Sequence, residues 1–175
     1  TNICKRLERE LSKNEIDIVV IGMRGAAALK PFLSAARCGK IIAPANKEAL
    51  VMAGDLLMKE AQKHKAVIIP VDSEQSAIFQ CLEGQDRSTL RCVHLTASGG
   101  PLNKISQSKF DKLSVDTILK HPRWKMGPKI TVDSATLMNK GFEFIEAQKL
   151  FNLKADQIQV VIHPEAIVHS MVEFQ

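Results

Sequence analysis

A chain of 175 residues with 24 lysines and arginines, 19 acids and 45% hydrophobic side chains has the size and balance of one folded domain, or of a domain and part of another. One quarter charged residues, with no apolar run near the ~20 residues that span a bilayer, exclude a disordered chain, a fibre and a helical membrane protein. A net charge of +5 permits anionic partners, but the cations are scattered among acids, with one Trp and no Tyr, so nucleic acid is not an expected partner.

The chain opens on a charged helix-like stretch, residues 5–11, with no initiator Met and no apolar core of a secretory signal. Residues 16–21 read as a buried strand stopped by Gly22. Similar short β-branched runs recur at 40–43, 66–71, 92–95, 129–132 and 158–162, and such runs suit strands covered on both faces. Between the first two, a helix over 32–38 is expected, with Pro31 in its first turn and Gly39 as its stop. The next helix is expected over 47–64 behind Asn46 as N-cap, burying Leu50, Val51, Leu57, Met58 and Ala61. A third follows Asp72-Ser73 and ends before Gly84. Two short helices, 106–113 and 115–120, precede His121-Pro122, and a last one runs over 135–150 behind Asp133-Ser134. This alternation predicts an α/β fold, with a parallel sheet early and a rearranged sheet later. Cys4, Cys38, Cys81 and Cys92 form no C-x-x-C and no zinc spacing, which predicts buried, reduced thiols in a cytosol-like compartment. His163 and His169 are six apart, unlike a helical metal pair.

Two turns repeat one pattern, Val71-Asp72-Ser73-Glu74 and Val132-Asp133-Ser134-Ala135. Each is expected to set an acid and a hydroxyl at a helix N-terminus beyond the carboxyl end of a strand, where open α/β sheets bind ligands. Asp72 and Gln75 alone would make an acceptable capping box. Glu74 is not needed for a cap, and two carboxylates two residues apart at a turn can both reach one hard cation. Thr136, Asn139, Lys140 and Glu143 share one helix face, either as a solvated stripe or as the source of a third acid. Gly141 within that helix suggests a close approach to the backbone. Ser98-Gly99-Gly100-Pro101 reads as an anion-binding nest or as a plain turn, and residues 121–127 as a lid or as a hydrophobic plug. With Lys47, the inventory fits a divalent cation and a phosphorylated, hydroxylated small molecule. The residues alone carry the reading that far.

Five ordered motifs extend it. Ala45-Asn46-Lys47-Glu48, Pro70-Val71-Asp72-Ser73-Glu74, Ser98-Gly99-Gly100-Pro101, the segment from His121 to Gly127, and the segment from Val132 to Glu143 closely resemble the 1-deoxy-D-xylulose 5-phosphate reductoisomerase family. The resemblance runs from about Gly25 to Gln175. It implies the end of a Rossmann-like NADPH domain over residues 1–70, followed by an α+β catalytic domain over 71–175. It implies NADPH and Mg²⁺ or Mn²⁺ (Co²⁺ as a further option) as cofactors, the metal being held by Asp72, Glu74 and Glu143. Ser98, Ser134, Asn139 and Lys140 match the groups around the substrate phosphate. Lys47, Ser73, Glu74 and His121 match contacts to the sugar backbone and hydroxyls, and Asn46, Glu48 and Gly127 match contacts to NADPH. Lys47, Asp72, Glu74, His121 and Glu143 are the implied catalytic set, while Trp124 and Met126 fall in the family's lid. Gln75 departs from the family's usual His, and Ala28, Leu102 and Pro128 also depart from common choices.

The implied reaction converts 1-deoxy-D-xylulose 5-phosphate to 2-C-methyl-D-erythritol 4-phosphate in isoprenoid precursor synthesis, by a homodimeric enzyme of the cytoplasm or a plastid-type organelle, with no membrane partner. Its rivals are a sugar-phosphate isomerase or aldolase without redox chemistry, and a non-catalytic binding module. Both ends read as cut: no G-x-G-x-x-G is present, because Gly22-Met-Arg-Gly25 has the wrong spacing, and residues 171–175 start an unpaired strand. The chain alone is therefore expected to bind metal with a phosphonate analogue, to hold NADPH poorly and to turn nothing over.

Overall fold

The structure, a computed structural model, describes residues 2–13, 15–120 and 127–175. Its first half runs α1 (Asn2–Leu11), β1 (Ile18–Ile21), a 3-10 turn over Gly25–Ala28, α2 (Leu29–Arg37), β2 (Ile41–Pro44), α3 (Glu48–Lys63) and β3 (Val67–Ile68). The three strands pair in parallel in the order β1-β2-β3, Ile18 opposite Ile41 and Ile41 opposite Val67. The second half runs α4 (Ser73–Leu82), β4 (Leu90–Ala97), α5 (Val115–Ile118), α6 (Pro128–Ala135), α7 (Met138–Phe151), β5 (Ile158–Ile162) and β6 (Ser170–Phe174). Here the order is β5-β4-β6, with β5 parallel and β6 antiparallel to β4. The fold is α/β, with the parallel sheet first and the mixed sheet second.

Each sheet has its own core. Phe32, Ala35, Ile42, Leu50 and Leu57 are fully buried in the first, and Ile78, Val93, Leu95 and Ala147 in the second. Leu150 on α7 packs against both. The α3–α7 contact is tight, because a Cβ on Gly54 would lie 2.5 Å from Lys149 Cγ, and α3 bends at the preceding residue, Ala53 (φ −145°, ψ 29°). Lys149 closes the contact on both oxygens of Asp55 at 2.9 Å.

Several expectations are corrected. Residues 129–132 are helical, not a strand: Pro128 at the first position presets helical φ behind Gly127, and Lys129 pairs with Asp133 one turn on at 2.7 Å. These local signals outweigh the β-branched run Ile130-Thr131-Val132, whose Thr131 hydroxyl donates back to the Gly127 carbonyl at 3.0 Å. Asp133 and Ser134 therefore end α6 rather than start the next helix, and α7 begins only at Met138, behind Leu137 at φ 59°. The 66–71 run keeps two strand residues, although the Ile69 and Val71 amides still donate to the Ile42 and Pro44 carbonyls at 2.9 and 3.3 Å. Asn46 does not cap α3; Lys47 holds that position without a side-chain cap. Cys38, Cys81 and Cys92 are free thiols, but Cys81 is exposed and only Cys92 is buried. Gly141 faces open space, so nothing approaches it closely. No helix among the described residues is long and apolar enough to cross a membrane.

What the fold positions is a crevice. The parallel strands of both sheets end toward it: Asn46 and Lys47 follow β2, Asp72 follows β3, Ser98 follows β4 and His163 follows β5. The first turn of α7 joins them there.

Candidate active site

At the end of the first sheet the chain turns at Asp72 (φ −52°, ψ 132°) into α4. Asp72 Oδ1 accepts from the Glu74 amide at 3.2 Å, capping the helix, while Oδ2 accepts from Lys47 Nζ at 2.7 Å. One carboxylate thus both caps and faces the crevice. The capping box with Gln75 does not form: Gln75 is fully buried and its Nε2 donates to the main-chain carbonyl of Glu143 at 2.8 Å.

On α7, Asn139, Lys140 and Glu143 do share a face, and that face is buried rather than solvated, whereas Thr136, expected with them, is exposed at the end of α6. Glu143 is 1% exposed and receives Lys47 Nζ at 2.7 Å together with Asn139 Nδ2 and Lys140 Nζ. Lys140 also lies 3.6 Å from Glu74 Oε2. Ligand oxygens of Asp72, Glu74 and Glu143 lie within 4.8 Å of one another. Three carboxylates against two ammonium groups leave one formal negative charge, so a divalent cation would suit the cluster and a fourth carboxylate would not. Burial alone would favour a neutral Lys47, but Asp72 and Glu143 outweigh it and raise its pKa above the ordinary value. Burial pushes the Glu143 carboxyl up, Asp72 adds to the rise, and the two lysines oppose it. A cation entering the site would reverse that direction.

These groups line a cavity of about 440 Å³, which Ser98, Gly99, Ser134, His163 and His169 also line. Gly99 and Gly100 both take positive φ, 83° and 66°, and a Cβ on Gly100 would lie 2.5 Å from the Ser134 carbonyl oxygen. The glycine thereby brings the turn after β4 against the end of α6, and two hydroxyls from distant segments reach one cavity. Ser134 does not sit at a helix N-terminus, as the sequence suggested. That end belongs to α7, whose first turn lends Asn139 and Lys140 to the same cavity.

A second cavity of about 230 Å³ adjoins the first through Lys47, Asp72, Ile130 and Asn139. Asn46, Glu48, Arg24 and Gly127 line it. Both amide atoms of Asn46 and Glu48 Oε2 are buried without a partner, an arrangement that favours a polar ligand. His121, Trp124 and Met126 lie outside the described residues.

The sequence reading missed three residues. His169 Nδ1 lies 3.0 Å from Glu74 Oε1. His163 Nε2 accepts the Ile167 and Val168 amides at 3.0 and 3.2 Å, folding the loop that delivers His169. The available signal was their place after β5, at the carboxyl ends of a parallel pair. Glu146, one turn beyond Glu143, is 1% exposed, and burial, reinforced by Asp72, pushes its carboxyl up to about 8.

That shift fixes a pH dependence. From its ordinary value near 4.5 to about 8, the folded chain keeps a proton on Glu146 that the unfolded chain has lost. The stabilisation is full below pH 4.5 and is lost as pH rises toward 8, with a slope of at most about 1.4 kcal/mol per unit. Urea unfolding of the metal-free chain should therefore show stability falling across that window, and Glu146→Gln should flatten the fall. Parallel curves for the two proteins would refute it.

Residues 68–151 match the family model described as 1-deoxy-D-xylulose 5-phosphate reductoisomerase C-terminal domain, and residues 4–54 match the one described as 1-deoxy-D-xylulose 5-phosphate reductoisomerase. The chain is 54% identical over 168 residues to 1-deoxy-D-xylulose 5-phosphate reductoisomerase of Pelotomaculum thermopropionicum, covering 96% of this chain and 43% of that protein. Against the Clostridium botulinum enzyme of that name it is 54% identical over 170 residues, covering 97% and 44%. Among solved structures, DOX-P reductoisomerase in complex with NADPH, fosmidomycin and magnesium superposes with a TM-score of 0.89 at 48% identity, over 97% of this chain and 44% of that one. The Zymomonas mobilis enzyme in complex with NADPH gives 0.88 at 38% identity, over 98% and 43%. The chain spans less than half the length of these relatives. On two family models that together match residues 4–54 and 68–151, and on identity above one half to named members, the chain belongs to the 1-deoxy-D-xylulose 5-phosphate reductoisomerase family.

Proposed function

We propose that the chain carries the metal- and substrate-binding centre of an enzyme that converts 1-deoxy-D-xylulose 5-phosphate to 2-C-methyl-D-erythritol 4-phosphate with NADPH and a divalent cation. The observation that carries the reading is the convergence of Asp72, Glu74 and Glu143, with two buried lysines, at the edge of a cavity lined by Ser73, Ser98, Ser134 and the first turn of α7. Asp72, Glu74 and Glu143 would hold the cation, since hard oxygens with a net negative charge are what Mg²⁺ or Mn²⁺ (or Co²⁺) requires. When bound, the cation supplies Lewis-acid polarisation of substrate oxygens and NADPH supplies a hydride.

The rest falls to the chain's own side chains. Lys47 and Lys140 keep the carboxylates from repelling one another and offer N–H groups to substrate oxygens. Ser98, Ser134, Asn139 and Lys140 form the phosphate end, anchoring the substrate away from its reacting carbons. Ser73 and Glu74 face the hydroxylated carbons, His121 is assigned to them by the family resemblance alone, and His169 orients Glu74. Asn46, Glu48 and Gly127 take the nucleotide in the adjoining cavity, and Trp124 and Met126 are assigned to a lid by the family resemblance alone. In this reading residues 1–70 close the nucleotide domain and 71–175 form the catalytic domain. The whole enzyme is a homodimer acting in the cytoplasm.

Calorimetry in Mn²⁺ with 1-deoxy-D-xylulose 5-phosphate and with the dephosphorylated sugar tests the phosphate end. Ser98→Ala and Ser134→Ala should each weaken the phosphorylated ligand about tenfold, the worth of one charge-assisted hydrogen bond, and leave the other unchanged. Equal losses on both sugars would return the serines to turn and helix-end duty. Loss of nicotinamide absorbance on substrate addition to the full-length enzyme reports the redox half, and substrate consumed without that loss would leave isomerisation alone.

A further inference from the structure

Gln75 on α4 and Glu146 on α7 are fully buried polar side chains without a part in the chemistry above. They lie under the carboxylates, where α4 and α7 pack. Gln75 Nε2 donates to the Glu143 carbonyl at 2.8 Å, a direct tie between the helices across 68 positions of sequence. Its Oε1 and Glu146 Oε2 are both buried without partners. Two orphaned acceptors beneath one site would cost about 1–3 kcal/mol each. The Gln75 amide lies within hydrogen-bond reach of the Glu146 carboxyl, so a proton on Glu146 would supply the donor that the two orphaned oxygens lack.

We propose that Gln75 and Glu146 form a buried positioning pair that sets the separation between the α4 turn bearing Asp72 and Glu74 and the α7 turn bearing Glu143. Burial, with Asp72 and Glu143 adding to it and Lys47 and Gln75 opposing, raises the Glu146 carboxyl to about 8 in the metal-free chain. It serves as a hydrogen-bond donor rather than as a fourth charge. Cation affinity depends on the three oxygens meeting at a set distance, and removing a group that orients ligands typically costs 10–100-fold. The proposal rests on the reading of the three carboxylates as a divalent-cation site.

Mn²⁺ titration of the chain, followed by the paramagnetic signal of free Mn²⁺, tests it, with circular dichroism melts to confirm folding. Glu146→Gln keeps shape, neutrality and an N–H donor, and should bind Mn²⁺ within about threefold of wild type. Glu146→Leu and Gln75→Leu should each weaken Mn²⁺ about tenfold, and the double variant no more than the worse single one. Unchanged affinity in both leucine variants, with binding lost in Glu143→Gln, would overturn the pair while leaving the cation site standing. A loss in Glu146→Gln equal to that in Glu146→Leu would also overturn it, by making the charge essential. Wild-type affinity in Glu143→Gln would instead remove the cation site beneath the proposal. Should the leucine variants not fold, Glu146→Asp decides: its shortened acid should weaken Mn²⁺ severalfold, and unchanged affinity would overturn the pair.

Discussion

Replacing Glu143 by glutamine is expected to lower Mn²⁺ affinity by tenfold or more and to destabilise the chain by about 3 kcal/mol. The substitution keeps shape and volume and removes one charge, so packing is not the cause. Glu143 is the residue on which Lys47, Lys140 and Asn139 converge. Without its charge, two nearly buried ammonium groups share only Asp72 and Glu74. Losing one partner of a buried ion pair costs about 3–5 kcal/mol, because the remaining charge stays desolvated. The lower end is expected here, since burial already holds the Glu143 carboxyl above its ordinary pKa and part of its charge stabilisation is offset in the native chain. Urea unfolding and Mn²⁺ titration measure the two effects separately. Wild-type values in both would mean that the lysines find compensation elsewhere and that Glu143 holds no cation.

The second large effect belongs to Gly100. Its φ of 66° alone costs a side-chain-bearing residue about 1–2 kcal/mol. A Cβ there would also lie 2.5 Å from the Ser134 carbonyl oxygen and 2.9 Å from its carbon. Both are backbone atoms that cannot swing aside, and overpacking of this kind adds about 1–3 kcal/mol. Gly100→Ala should therefore destabilise by about 2–5 kcal/mol and, by pushing the Ser98 turn away from α6, weaken phosphorylated ligands most. Gly141→Ala is the control of opposite sign: its Cβ meets open space, and alanine is worth up to about 1 kcal/mol more than glycine within a helix. If the two substitutions move the unfolding midpoint alike, the close approach at Ser134 does not exist in solution.

Much of this was legible because the signals are local. The β-branched runs at β1, β2, β4 and β5 and the stop at Gly39 mark elements by short-range pattern. The 3.6-residue period set Asn139, Lys140 and Glu143 on one face before any contact was known, but wrongly added Thr136, which ends α6. Burial of that face was not legible. Its partners are 68 and 96 positions away, on Gln75 and Lys47, and spacing along one helix cannot tell a solvated stripe from an ion-paired one. His169 was hidden for a related reason: it reaches Glu74 through the loop folded on His163, just ahead of the antiparallel return of β6 beside β4. The strand expected at 129–132 failed where β-branched composition was weighed above Pro128 and the Lys129–Asp133 spacing, although both were present in the sequence.

Because Leu150 on α7 packs into both hydrophobic clusters, and Gly54 lets α3 close against Lys149 beside it, neither half of the chain can melt while the other keeps that helix fully packed. Opening the first sheet strips one side of α7, and opening the second strips the other. The helix that carries Glu143 therefore joins the two halves into one cooperative unfolding unit. Its slowest-exchanging amides should report the global opening free energy of the chain, while the site-bearing loops at the strand ends exchange through smaller, local openings.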